Sequence, residues 1–172
     1  ARSGEVESGM PSYSTRRPVP HTALQMFDLV ADVERYPEFL PLCEALKVRS
    51  RGGTSERPVL IADMTCGYGR IRETFTSRVT LDRGATPPAI LVEYLDGPFQ
   101  RLHNRWRFLD QPGGSTVDFF IDYEFKSMML QLLMGAMFDR AFQKFAEAFE
   151  ARAGIIYRRA SPAPSQPPGV GA

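Results

Sequence analysis

Between Leu46 and Lys126 apolar and polar residues alternate almost without a break, and each interruption is a short turn signal. Alternation at a period of two sends successive side chains to opposite faces of a strand. It predicts six strands, at residues 46–51, 58–68, 70–82, 89–95, 101–110 and 115–126. The links between them are Arg51-Gly52-Gly53, Gly67 with Gly69, Pro87-Pro88, Gly97-Pro98 and Pro112-Gly113-Gly114. Strands joined this closely pair antiparallel, because a parallel pair needs a long crossover. The chain is expected to build a meander rather than a βαβ sheet.

The segments on either side are helical. Residues 12–19 alternate loosely and predict a first strand, after which Thr22 and Gln25 have capping-box spacing. Met26, Phe27 and Val30 follow as an apolar stripe. This helix is expected to break at Tyr36-Pro37, since proline cannot continue it, and to restart as a short turn through Phe39 and Leu40, closed by Pro41. Residues 127–157 read as one long helix, with Phe138, Phe142, Phe145 and Phe149 on one stripe and Lys144, Glu147 and Glu150 on the other. Its first turns, from Met128 to Phe138, are apolar nearly all round, more than one core contact can cover. A membrane surface, a partner protein or a second copy in a homodimer would each cover them. With Gly97-Pro98-Phe99, and with Gly135 loosening the helix, this segment is expected to form a mobile apolar mouth.

One domain over residues 10–158 accounts for these elements. Residues 1–9 precede Met10 and read as a non-native remnant, and residues 159–172 read as a disordered Pro/Gly-rich tail. The whole chain has 172 residues and a formal charge of +1 from 21 basic and 20 acidic side chains, too even for a strongly basic nucleic-acid-binding domain. Its two cysteines, Cys43 and Cys66, form no CxxC pair, and two histidines do not make a zinc cluster. No metal is expected. The cysteines read as small buried hydrophobes in a reducing compartment.

Alternation also assigns faces. Leu60, Ala62, Met64, Cys66 and Tyr68 share one side of their strand. Ile71, Phe75, Val79 and Leu81 share another, followed by Leu102, Asn104, Trp106 and Phe108, then Val117, Phe119, Ile121, Tyr123 and Phe125. These faces make either a solid core under the long helix or the lining of a ligand cavity. Frequent methionine and the polar interruptions Tyr68, Asn104 and Tyr123 favour a cavity. Glu73 is expected at a rim or beside an arginine. On the outer face Arg101, His103, Arg105 and Arg107 alternate along one strand. If Asp110 and Ser115 close the hairpin, Arg107 lies opposite Asp118, His103 opposite Asp122, Arg101 opposite Glu124 and Arg105 opposite Phe120. Cross-strand pairing then explains the stripe better than phosphate binding. Arg105 would be left with Arg70, Arg72 and Arg78 as a modest basic patch. No nucleophile elbow, metal-binding HExxH or phosphate-cradling loop is present, so a non-catalytic role is expected.

Several segments together resemble the coenzyme Q-binding family of the START-like (polyketide cyclase and lipid transport) superfamily. The most specific is the Asp32-Val33-Glu34-Arg35-Tyr36-Pro37-Glu38-Phe39-Leu40-Pro41-Leu42-Cys43 corner. Others are Phe75-Thr76-Ser77-Arg78-Val79, Gly97-Pro98-Phe99 with Leu102, Trp106-Arg107-Phe108, Val117-Asp118-Phe119 and Tyr123-Glu124-Phe125. The resemblance implies an α+β helix-grip fold, in which a curved antiparallel sheet of about seven strands wraps a long C-terminal helix, with two short helices after the first strand. It also implies that ubiquinone, or a similar prenyl lipid, is bound between sheet and helix and delivered in support of respiratory electron transport. The ligand would lie against Phe27, Phe39, Leu40, Met64, Cys66, Tyr68, Phe75, Trp106, Phe119, Tyr123, Met134, Phe138 and Phe142. Such a protein would be cytoplasmic and peripheral to the inner membrane, or on the matrix side in a mitochondrion. A similar bacterial branch, the ribosome-association toxins, implies instead a contact with the large ribosomal subunit. A cyclase or dehydratase, the third possibility within the superfamily, would need acid-base residues from Glu73, Tyr68 and Tyr123.

Overall fold

The computed structural model describes residues 12–157, so the predicted remnant and tail lie outside the described residues. The elements run β1 (Ser12–Val19), α1 (Ala23–Ala31), a 3-10 turn (Val33–Glu38), β2 (Cys43–Gly53), β3 (Pro58–Tyr68), β4 (Ile71–Asp82), β5 (Ala89–Asp96), β6 (Phe99–Gln111), β7 (Gly114–Phe125) and α2 (Met128–Tyr157). All strand pairs are antiparallel in the order β1-β7-β6-β5-β4-β3-β2. This is the predicted meander, with β1 added beside β7. The core is one continuous apolar cluster between the sheet, α1 and α2.

The β6–β7 hairpin has the register expected from its turn: Arg107 opposes Asp118, His103 opposes Asp122, Arg101 opposes Glu124 and Arg105 opposes Phe120. Its ion pairing is less regular. Arg107 reaches Asp118 at 2.8 Å, but Arg101 bonds both Asp122 at 3.0 Å and Glu124 at 3.4 Å, which leaves His103 against the Phe120 ring. Asp110 has a further task, because its carboxylate accepts from the Ala23 backbone N–H at 2.9 Å. A negative charge at the N-terminus of α1 suits the helix dipole, so the hairpin tip fixes the start of the helix. The predicted capping box is present in full between Thr22 and Gln25.

Two boundaries differ from expectation. Helix α1 ends at Asp32, whose backbone (φ −82°, ψ 65°) leaves the helical region, and Pro37 lies inside the following 3-10 turn rather than at the break. A short turn of i→i+3 bonds leaves few donors to be supplied, so a missing N–H is tolerated there. The Tyr36 hydroxyl donates to the Val30 carbonyl, one of the acceptors left open at the end of α1. Strand β2 starts at Cys43, not Leu46, because a register shift at Cys43/Ala45 interrupts the alternation that marks a strand; a second shift, at Val48/Ser50, lies within the predicted span. Leu42, just before it, has a left-handed φ of 66°. That conformation is costly for a leucine, and here it closes the corner.

Helix α2 has 30 residues, about 45 Å at 1.5 Å per residue. Its C-terminal half is tied down by the Arg17–Glu150 pair, by Arg152 to Glu38 at 3.2 Å and by the Tyr157 hydroxyl on the Gln25 carbonyl at 2.8 Å. Its N-terminal half is held by the buried Met134, Phe138 and Phe142 and by Tyr123, whose hydroxyl donates to Asp139 Oδ1 at 2.6 Å and lies 3.3 Å from the Gly135 carbonyl. Gly135 is buried, yet an added Cβ would meet only the flexible end of Gln131. Gly135→Ala is therefore expected to stabilise the helix by about 0.5–1 kcal/mol, a rise in Tm of about 1–4 °C in a thermal melt. Gly97, in the turn expected to border the apolar mouth, is closely packed. Its φ is +141°, a Cβ there would approach Phe75 Cα to 2.9 Å, and the nearby Phe99 is fully buried.

Candidate ligand cavity

Packing the phenylalanine stripe of α2 onto a concave sheet leaves a gap that the side chains do not fill. A cavity of about 100 Å³ lies between them. Its floor comes from Ala62, Met64 and Cys66 on β3, Phe75, Ser77 and Val79 on β4, Ile90 and Val92 on β5, and Leu102, Asn104 and Trp106 on β6. Phe119 and Ile121 of β7 continue it, α2 supplies Phe138, Ala141, Phe142, Phe145 and Phe149, and the corner adds Val33, Tyr36, Leu40 and Leu42. No charged side chain lines it. Typical small-molecule sites hold about 300–1,000 Å³, and about 150 Å³ suffices for benzene. The observed space is that of a small ring or less, so a larger ligand requires α2 to move outward.

Eight of the predicted ligand residues form part of this wall: Leu40, Met64, Cys66, Phe75, Trp106, Phe119, Phe138 and Phe142. Five do not. Tyr68 is 51% exposed at the β3–β4 tip, beyond the end of the concave face. Phe27 is buried edge-on against Phe108 under α1. Phe39 packs outside the wall, against Phe149 and under the Arg152 guanidinium. Met134 is core, and Tyr123 is buried behind Phe138 and Phe142 with its hydroxyl committed to Asp139. Sequence reasoning missed Tyr36, Leu42, Phe145, Phe149 and above all Ser77, which the even spacing from Phe75 to Val79 already placed on the inward face.

The polar groups of the wall are mostly satisfied from within. Asn104 Nδ2 donates to the Phe120 carbonyl at 2.8 Å, and its Oδ1 accepts from Trp106 Nε1 at 3.0 Å. Burial pushes the Cys43 thiol up to about 11 and the Cys66 thiol up to about 12, so both stay protonated at neutral pH. Burial, then the hydrogen bond to Asp139, likewise raises the Tyr123 phenol above its ordinary value. Glu73 is half-buried outside the wall and makes no ion pair among the described residues. None of the three acid-base candidates, Glu73, Tyr68 and Tyr123, reaches the cavity.

Residues 19–150 match the family described as polyketide cyclase / dehydrase and lipid transport. The chain belongs to that family. Among its relatives, the ribosome association toxin RatA of Escherichia coli is 32% identical over 154 residues, covering 88% of this chain and 92% of that protein. The mitochondrial coenzyme Q-binding protein COQ10 homolog B of Xenopus laevis is 32% identical over 152 residues, 86% of this chain and 59% of that protein. The crystal structure of an aromatase/cyclase from Streptomyces superposes with a TM-score of 0.74 over 90% of this chain and 100% of that one. At 16% identity that likeness concerns the fold alone. The seven-stranded antiparallel sheet closed by a C-terminal helix is thus the START-like fold that the resemblance implied.

Proposed function

We propose that this START-like domain is a non-catalytic carrier that takes up ubiquinone, or a similar prenylated ring lipid, between its sheet and α2. The observation that carries this reading is the uncharged cavity walled by aromatic and aliphatic side chains, whose one phenol, Tyr36, is committed to the Val30 carbonyl and whose Cys66 thiol is held protonated by burial. Such a wall suits a neutral apolar ligand and holds no carboxylate or imidazole to move protons at neutral pH. The name of the Xenopus relative agrees with it.

A ligand insoluble in water should enter from a lipid surface, and one end of the molecule is suited to meeting one. The β3–β4 tip, the β5–β6 turn and the β7–α2 junction lie at the same end of the antiparallel sheet. They expose Tyr68, Leu95, Met128, Met129, Leu132 and Leu133, while Arg70 and Lys126 are exposed beside them and in no ion pair among the described residues. Apolar side chains flanked by cations fit the interface of an anionic bilayer. The protein would then act at the cytoplasmic face of an inner membrane, or its matrix face in a mitochondrion, supplying respiratory electron transport.

The toxin name carried by other relatives supports a second reading, a contact with the large ribosomal subunit through Arg70, Arg72, Arg78 and Arg105. Two of these are already engaged, Arg72 with Glu44 at 2.7 Å and Arg105 over the Phe120 ring. Titration with a short-tailed quinone is expected to quench Trp106 saturably, and native mass spectrometry of the purified protein to release a prenyl lipid. Absence of both signals overturns the carrier reading. Blocked subunit joining in sucrose gradients, lost steeply with added salt, would instead favour the ribosome.

A further inference from the structure

Among the described residues two serine hydroxyls, those of Ser77 and Ser115, are buried without a hydrogen-bond partner. Ser115 is fully buried where β7 begins, opposite Val19 of β1, and has no part in the cavity. Ser77 is 4% exposed and lies on the cavity wall, between Phe75 and Val79 along β4 and opposite Ala62 of β3. On its other side the β4–β5 register shifts between Thr76 and Ser77. The extra residue there is Leu95 on β5, so Ser77 keeps the inward face that it shares with Phe75 and Val79.

A buried hydroxyl with no partner is unfavourable in the empty protein. The other strong donors and acceptors of the wall do not answer it: Asn104 and Trp106 bond to each other and to the backbone, and the Tyr36 hydroxyl bonds Val30. We infer that Ser77 is the polar anchor of the cavity and hydrogen-bonds an oxygen substituent on the ring of the bound ligand. This rests on the carrier reading and narrows its ligand class. The wall holds no cation, so a carboxylate or phosphate would be desolvated without compensation. A plain hydrocarbon would fit but leave Ser77 unanswered. The ligand is therefore a neutral ring bearing a carbonyl, ether or hydroxyl oxygen, and the hydrocarbon tail contributes affinity without choosing among heads.

The test compares the wild type with Ser77→Ala and, as a control, Ser115→Ala. Each is titrated with decylubiquinone and with decylbenzene, which has the same decyl tail on a six-membered carbon ring without oxygen, and each is melted without ligand. Ser77→Ala is expected to weaken decylubiquinone about five- to tenfold and to leave decylbenzene within about twofold, with a raised ligand-free Tm because an unanswered hydroxyl has gone. Ser115→Ala should leave both affinities unchanged. If the wild type binds both probes and Ser77→Ala weakens neither, or weakens both alike, the anchor is overturned while the cavity stands. If the wild type binds neither probe, the carrier reading itself has failed.

Discussion

Ala62→Phe is expected to weaken quinone binding about a hundredfold or more, equivalent to about 2.7 kcal/mol, in a protein that stays folded. Ala62 is 5% exposed, lies on the cavity floor and stands opposite Ser77. A benzyl group there points into the space the ligand head must occupy. Overpacking a filled core costs about 1–3 kcal/mol. Here the new ring enters a void of about 100 Å³, and filling such a void recovers up to about 2 kcal/mol at 24 cal/mol per Å³. The two effects nearly cancel, so the Tm should move by only a few degrees while Trp106 quenching disappears. A large fall in Tm with binding retained would mean that the gap is already packed shut around Ala62 and that the ligand lies elsewhere.

Local rules read the fold well and the limits of the cavity less well. Turn chemistry with period-two alternation located every strand, and one hairpin assumption returned the β6–β7 register from Arg101 to the turn, missing only the shift between Phe99 and Arg101. Alternation missed the start of β2, where the register shifts between Cys43 and Ala45 and nothing in Cys43-Glu44-Ala45 marks it. Burial was also legible, but not what a residue is buried against. Phe27, Met134 and Tyr123 have the same apolar spacing as true wall residues, yet they pack beyond the gap, because a period assigns a face without saying how far along it the void extends. Tyr68 has the parity of Cys66 but lies past the end of the concave surface. Ser77 was overlooked for a different reason. Its residue type suggests solvent, although its parity with Phe75 and Val79 faces it inward, where its hydroxyl is orphaned among apolar neighbours.

Aspartate at Leu132 or Leu133 is expected to reduce co-sedimentation with vesicles of phosphatidylethanolamine and phosphatidylglycerol about tenfold or more, without loss of fold. Leu132 is 79% exposed and Leu133 is 55% exposed, so in water each aspartate removes little packing, and surface changes of this kind usually stay within about 0.5 kcal/mol. At a bilayer the same change forfeits the burial of a leucine, about 1.5–3 kcal/mol if complete, and sets a negative charge against anionic headgroups. The first turn of α2 is capped only locally, by Ser127 accepting from the Leu130 N–H at 3.3 Å, whereas the C-terminal half is tied to β1, α1 and the 3-10 turn. Insertion of the exposed end would pull on the half of the helix that carries Phe138 and Phe142, the wall that must leave the sheet before anything larger than a small ring can enter. On the carrier reading, membrane contact would also open the cavity, and the aspartate variants should then take up quinone from vesicles more slowly while binding it normally from detergent. Should they instead convert a dimer to monomers in analytical ultracentrifugation with vesicle binding unchanged, the apolar face belongs to a second copy of the chain. Should the Tm collapse, these leucines serve the core and the membrane reading of this end is wrong.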